Sequence, residues 1–349
     1  MVSVEETHFD LNSANALPDT YTWLTPQNQS PPSEGPVSIP VIDLDDVDVI
    51  DKIGRACEEL GLFLVINHGV PEELLRRIES EAQRFFSLPA DQKLLAKRTP
   101  GDFTGYGPLL ISKFFEKKFW SEGFTILGSP IKPASAVWPD GGHTQFCSDT
   151  VNEYQQAILK LQARMFGLVM HYLGIEDKND WFHYIGEKGA IQLNSYPPCP
   201  DPDRALGLGA HGDSTLLTVL HQTGEKGGLQ CKIGEDQWAI VTPKPGSLVV
   251  NVGDLLHIIS NGRLPTAVHR VIVDADHHRY SFVNLWGTPP DVKVMPHPKL
   301  VGPGKPPLYR AVTWMEYLGI KTKILNEALD SIKVRENLGD DEGIQNHNN

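Results

Sequence analysis

Apolar and polar positions follow two different rhythms along the chain, and the change between them divides it. After an irregular stretch rich in Pro, Ser, Asn and Asp at 1–38, IPVIDL (39–44) reads as a short strand. From Val47 to Leu60 apolar residues recur at helical spacing (Ile50, Ile53, Cys57, Leu60), and Gly61 stands where a helix would end. GLFLVINHGV (61–70) predicts a strand. Pro71 opens the next helix, with Leu74, Leu75, Ile78, Ala82 and Phe85 on one face. A longer amphipathic helix is predicted from Asp149 to Leu173, through Val151, Tyr154, Ile158, Leu161, Met165, Leu168 and Tyr172, with Gly174 closing it.

Beyond residue 188 the period shortens to that of strands. AIQLNSY, STLLTVLHQ, GLQCKI, WAIVTP, SLVVNVG, AVHRVIV and YSFVNLW follow one another, separated by turns rich in Gly, Pro, Asn and Asp. That spacing predicts a barrel or sandwich of antiparallel strands. Residues 308–333 return to a helical pattern, and ENLGDDEGIQNHNN predicts a disordered tail. The organisation read from the pattern is an arm (1–38), an N-terminal α/β region (39–187), a β-rich core (188–307), and a C-terminal helix with its tail (308–349).

Composition narrows the function classes. With 31 Lys and Arg against 44 Asp and Glu the net charge is −13, which disfavours nucleic acid or an anionic membrane as partner. Cys57, Cys147, Cys199 and Cys231 form no CxxC pair, which argues against a disulfide scaffold or a cysteine zinc site and suits a reducing compartment. MVSVEETHFD lacks the layout of a signal peptide, and no stretch approaches the roughly 18 apolar residues of a membrane span. A cytoplasmic location is the expectation. No GxGxxG or GxxxxGK[ST] phosphate loop occurs.

The run AHGDSTLLTVL (210–220) poses a chemical problem, because a buried strand should not carry an unpaired carboxylate. On a strand, His211 and Asp213 share one face while Gly212 points away. With a second imidazole they would form a two-His-one-carboxylate face for Fe(II), which leaves coordination positions open. His269, in TAVHRVIVD, is the best candidate for that imidazole, and a metal would neutralise Asp213. Ten residues on, Arg279 and Ser281 again share a strand face and suit capture of a carboxylate. Asn194 and Tyr196 in QLNSYPPCP form another polar pair on one face. A dicarboxylic cosubstrate could chelate the metal at one end and be held by Arg279, Ser281 and Tyr196 at the other.

HGD, His269 and Arg279-Tyr280-Ser281 resemble the signature of the Fe(II)- and 2-oxoglutarate-dependent dioxygenases. GLFLVINHGVP, LNSYPPCP and GSLVVNVGDLLHIISNGRLPTAVHR resemble the plant group of that superfamily, related to isopenicillin N synthase. FWSEGFTILGSP (119–130), with GPLLISKFF before it, and LYRAVTWMEYLGIKTK are similar to gibberellin oxidases, the former to the gibberellin 3-beta-dioxygenases. The resemblance runs from about Ile39 to Ala328. It implies a mainly β fold with α: a double-stranded β-helix (jelly-roll) core with flanking helices and an N-terminal α/β portion. It implies iron ligands His211, Asp213 and His269, and a cosubstrate site of Arg279 and Ser281 with Tyr196 and Asn194 close by. Fe(II), 2-oxoglutarate and O2 would be consumed or held there, with ascorbate as reductant. Gly212 and Ser195 depart from many relatives, which carry larger residues at both; each should affect packing more than chemistry.

The implied substrate is a gibberellin, a rigid diterpenoid hydrocarbon cage bearing a carboxylate, hydroxylated at C3 on the β face. Candidate lining residues are Tyr106, Phe115, Trp120, Phe124 and Ile126, with Leu285 and Trp286 after the Arg-Tyr-Ser strand. Lys113, Lys117 or Lys118 are candidates to meet the substrate carboxylate. Alternatives on the same scaffold are a gibberellin 2-beta- or 20-oxidase or a flavonoid-type oxygenase. From other classes, a non-catalytic binding module and a zinc hydrolase remain, although neither explains Arg279 and Ser281.

Overall fold

The computed structural model describes residues 9–23, 38–99, 102–186 and 189–334. The predicted disordered tail and much of the predicted arm lie outside these residues. Three helices of the N-terminal part follow the predicted pattern: α1 (Val49–Glu59), α2 (Glu72–Phe86) and, after a short α3 (Ala90–Leu94), the apolar stripe that becomes α5. The helix α4 (Ile131–Val137) and a π-helical stretch (Gln145–Val151) precede α5 (Asn152–Tyr172). Its buried residues Tyr154, Ile158, Leu161, Met165, Phe166, Val169 and Met170 recur every three or four positions, as an apolar stripe requires.

Strands β1 (Val41–Asp43), β2 (Leu62–Ile66), β3 (Gly105–Tyr106) and β4 (Glu122–Leu127) come from the N-terminal half. The later half supplies β5 (Ala190–Tyr196), β6 (Leu208–His211), β7 (Leu217–Gln222), β8 (Leu229–Lys232) and β9 (Trp238–Ile240). It continues with β10 (Leu248–Val252), β11 (His269–Val271) and β12 (Arg279–Trp286). The large sheet has the order β1-β2-β10-β7-β12-β5-β4-β3, and the small one β6-β11-β8-β9. Every pairing is antiparallel except β1 with β2. The large sheet therefore draws strands from both sides of residue 188.

The AHGDSTLLTVL run divides rather than forming one strand: β6 ends at His211 in the small sheet and β7 begins at Leu217 in the large one. Between them the chain crosses from one sheet to the other. A strand pair, β13 (Lys293–Val294) with β14 (Val312–Thr313), leads to the C-terminal helix α7 (Trp314–Ile324), after α6 (Asp254–Ile259).

Two faces of the large sheet bury different cores. Phe63, Val65, Phe124, Ile126, Leu193, Leu217, Val219, Val250, Phe282 and Trp286 point outward and pack with the helices. Leu62, Leu64, Tyr196, Leu220 and Val249 point inward and meet Leu208, Leu229, Cys231 and Val271 of the small sheet. That inner space, between two sheets of a jelly roll, is where polar residues on inward positions converge.

Candidate metal and cosubstrate site

His211 closes β6, and His269 opens β11 directly opposite it, with ring centroids 4.3 Å apart. Asp213 lies in the turn after β6, so its approach to His211 comes from that turn and not from strand alternation. The backbone N–H of Asp254, at the start of α6, donates to the Asp213 carbonyl (2.8 Å) and pins the turn. One ligand atom from each of His211, Asp213 and His269 lies within 4.8 Å of the others, and all three residues are buried.

The surroundings select which atoms remain for a metal. His211 Nδ1 lies 2.9 Å from the Gly209 carbonyl, and His269 Nδ1 lies 3.1 Å from the Ala267 carbonyl. With Nδ1–H donating to a carbonyl, each ring keeps Nε2 as a ligand atom and a fixed orientation. The Thr218 hydroxyl and the Asn251 amide both donate to Asp213 Oδ2, at 2.7 and 2.9 Å. That leaves Asp213 Oδ1 facing His211 Nε2 at 3.8 Å. Burial, and next the adjacent His269, pushes His211 down to about 3. Burial opposes ionisation of Asp213, but His269, His211 and the Asn251 and Thr218 donors outweigh it and hold the carboxyl down to about 2. Neutral imidazole beside ionised carboxylate is the state in which these groups bind a divalent metal. The donor set fits Fe(II) with open positions.

The second cluster is set by strand register. Arg279 pairs with Tyr196, and Ser281 with Asn194, so all four project inward together. Asn194 donates to the Ser281 hydroxyl at 3.1 Å, and Arg279 lies over the Tyr196 ring at 5.0 Å. Arg279 is only 6 % exposed and Nη2 donates to Gln222 Oε1 (2.8 Å), yet its Nε and Nη1 have no acceptor among the described residues. Burial lowers its pKa, but a guanidinium stays charged at neutral pH. Such a buried cation lacks an anion among the described residues, and a carboxylate placed beside Ser281 would fit it.

The residues named for substrate contact divide. Phe115 lies on the inner core, where a Cβ on Gly209 would come within 2.5 Å of its ring. Tyr106, Phe124, Ile126 and Trp286 belong instead to the outer core, and Trp120 packs under the N-terminal arm with Leu11 and Tyr21. Strand parity explains this: Phe124, Ile126 and Trp286 carry the opposite phase from Thr125 and Ser281 on their strands. Tyr106 donates its hydroxyl to Glu122 Oε1 (2.6 Å), and the Trp286 indole donates to the Gly186 carbonyl (3.0 Å). Leu285, one residue before Trp286, has the inward phase. Lys113 and Lys118 are exposed, and Lys117 donates to the Asp19 carbonyl (3.2 Å). Asn251, Thr218 and Gln222 were not anticipated; the signal was a polar residue at an inward position of an otherwise apolar strand.

Two clefts of about 660 and 580 Å³ flank α5 outside the barrel and contain none of these residues. Asp274, Asp276 and His277 also approach one another, but on a turn where Asp274 Oδ1 accepts from the N–H groups of Asp276 and His277.

Comparison with known proteins agrees with this geometry. Residues 187–288 match the profile of the 2OG-Fe(II) oxygenase superfamily, and 39–145 match that of the non-haem dioxygenase in morphine synthesis N-terminal region. A gibberellin 3-beta-dioxygenase 1 of Pisum sativum is 44% identical over 347 residues, covering 95% of this chain and 91% of that one. Its namesake in Arabidopsis thaliana is 44% identical over 336 residues, covering 93% and 92%. Among solved structures, JOX2 in complex with 2OG, Fe and JA superposes with a TM-score of 0.78 at 30% identity, covering 93% of this chain and 95% of that one. The chain belongs to the 2OG-Fe(II) oxygenase superfamily.

Proposed function

We propose that this enzyme hydroxylates a gibberellin at C3 on the β face, using Fe(II), 2-oxoglutarate and O2, with ascorbate keeping the iron reduced. The observation that carries the chemistry is the buried Arg279 guanidinium with unmet N–H groups, inside the same barrel as three converging metal-ligand side chains. The substrate assignment is supported by the likeness to proteins named gibberellin 3-beta-dioxygenases along nearly the whole chain.

His211 and His269 through Nε2, and Asp213 through Oδ1, would hold the iron. When bound, that iron supplies oxidative decarboxylation of 2-oxoglutarate to succinate and CO2, coupled to hydroxylation of an unactivated carbon. The protein's part is orientation and exclusion. Thr218 and Asn251 hold the Asp213 carboxylate in one rotamer and keep it ionised. Arg279 and Ser281 bind the far carboxylate of the cosubstrate, and Asn194 fixes the Ser281 hydroxyl. Tyr196 closes one side of that cation with its ring. Phe115 and Leu285 give the substrate an apolar wall, which favours a hydrocarbon cage over water. No helix among the described residues is long and apolar enough to cross a membrane. The four free, buried cysteines suit a reducing compartment and support a cytoplasmic location.

The test is an incubation with Fe(II), 2-oxoglutarate, ascorbate and a gibberellin lacking the 3-hydroxyl, with products read by mass spectrometry against standards. One added oxygen at C3β together with succinate is the expected result, and His269→Ala abolishes both. Oxygen at C2 or C20 keeps the chemistry and overturns the regiochemistry. Succinate without a gibberellin product overturns the substrate.

A further inference from the structure

Burying a charge without its counter-ion is costly, so an unpaired buried cation points to a ligand that supplies the anion. Among the described residues, three arginines have buried N–H positions with no acceptor: Arg98 at Nε, Arg270 at Nη2, and Arg279 at Nε and Nη1. By contrast Arg77, Arg84, Arg204, Arg263 and Arg310 each meet a carboxylate. Arg279 has the cosubstrate. Arg270 lies on the outer face of the small sheet, 4.2 Å over the Trp238 ring, with Nε donating to Gln230 at 2.7 Å. Arg98, part-buried as a side chain but with its Nε fully buried, has neither explanation.

Arg98 stands just after α3, where the chain turns towards β3. Its Nη2 donates to Thr125 Oγ1 (2.7 Å), and its Nη1 donates to the Pro108 carbonyl (3.2 Å). Both are neutral acceptors. Burial is the one influence on its ionisation, and it disfavours the charged form. Among the described residues no ion pair compensates.

Register shows where that cation points. Thr125 is an inward residue of β4, opposite Gln192, which in turn lies opposite Val283 and then Leu220. One inward row to one side holds Gly123, Asn194, Ser281 and Gln222. One inward row to the other side holds Leu285, Thr218 and Asn251, whose polar members grip Asp213. Arg98 thus reaches the row between the Ser281 row and the row that holds the metal-ligand carboxylate. Thr125 hydrogen-bonds Gln192 Oε1 (2.5 Å), and Gln192 donates to Asn194 (3.1 Å), so a continuous polar path joins Arg98 to the Ser281 pair. From β4 to β7 is three strand spacings, about 14 Å, a span that a rigid polycyclic acid can bridge.

We propose that Arg98 receives the carboxylate of the substrate, and so sets which carbon of an apolar acid faces the His211–Asp213–His269 end of the barrel. The proposal rests on the reading of the substrate as a gibberellin acid. It replaces Lys113, Lys117 and Lys118, which lie exposed or tied to the arm. Thr125 and the Pro108 and Gly105 carbonyls hold Nη1 and Nη2, and Nε is the nitrogen with no acceptor among the described residues.

The test compares a gibberellin lacking the 3-hydroxyl with its methyl ester, on wild type, Arg98→Gln and Arg98→Lys. Kd is read by titration calorimetry on full-length protein loaded with Mn(II) and 2-oxoglutarate, and KM and product regiochemistry on the iron enzyme. Wild type should prefer the acid to the ester. Arg98→Gln should weaken the acid by about 10- to 100-fold, the range for a lost charge-assisted contact, and abolish the preference. Arg98→Lys should restore part of it. Acid and ester weakened alike would mean a structural role, and an unchanged acid Kd would mean that the carboxylate lies elsewhere; either overturns the proposal. Arg98-dependent binding of the acid without C3 hydroxylation would overturn the regiochemistry and leave Arg98 standing. Absence of binding by both acid and ester would overturn both.

Discussion

A methyl group at position 212 would lie 2.6 Å from Thr266 Cγ2, so the turn carrying Asp213 has no room for a side chain as the barrel stands. Thr266 is itself fixed, because its hydroxyl donates to Asp254 Oδ1 (2.9 Å). Asp254 in turn accepts from Tyr317 (2.8 Å) and pairs with the buried Lys321 of α7. The expected contrast in packing at Gly212 therefore has a named partner. Gly212→Ala should destabilise the protein by about 1–3 kcal/mol through overpacking. Thr266→Ser in the same chain removes the methyl, keeps the hydroxyl, and should recover most of that loss in urea unfolding. A double variant no more stable than Gly212→Ala would show that the contact with Thr266 is not the cause. Ser195, the other small residue at an intermediate position, faces outward as expected, 2.8 Å from His278 Nε2.

At the scale of elements, strand phase decides what each residue does. Along β12, Arg279, Ser281, Val283 and Leu285 take the inward phase while Phe282 and Trp286 fill the outer core. Trp286→Ala should therefore cost about 3–5 kcal/mol of stability, as for a large buried aromatic, and leave the regiochemistry of the product unchanged. Leu285→Ala should instead raise substrate KM with a smaller loss of stability. A shift in regiochemistry for Trp286→Ala, checked by product analysis at a temperature where the variant is folded, would contradict the phase argument. The same rule was already legible in the sequence: it put Arg279 with Ser281 and Asn194 with Tyr196, and the register agrees. Applied to β4 and to Trp286 it would have excluded Phe124, Ile126 and Trp286 as substrate contacts. It failed only where the chain leaves the strand. His211 and Asp213 meet because a turn crosses between sheets, and turn geometry of that kind is not encoded in an apolar–polar alternation. Arg98 was invisible for a similar reason, since its partner Thr125 lies on β4, 27 residues further along the chain.

Across the whole molecule, the candidate metal site lies where the two sheets must be held together. His211 and His269 belong to the small sheet, whereas Thr218 and Asn251, which grip Asp213, belong to the large one. Neighbouring strands β6 and β11 were separable in the sequence as apolar runs, but their pairing joins residues 58 positions apart, His211 with His269. Only the histidine and carboxylate types gave that pairing away. A metal bound to all three side chains would bridge the sheets and would bind the native state alone, so it must stabilise the fold. At a free metal concentration of about 100 times Kd the gain is about 2.7 kcal/mol, which corresponds to a rise in Tm of roughly 3–5 °C for a chain of this size. Calorimetry with Mn(II) and 2-oxoglutarate against an excess of chelator should show that rise in the wild type. His269→Ala should lose it. Asn251→Ala, which leaves Asp213 Oδ2 with Thr218 alone, should need about 10- to 100-fold more metal to reach it. A Tm indifferent to the chelator in the wild type would mean that the three side chains, close as they lie, do not hold a metal between the sheets.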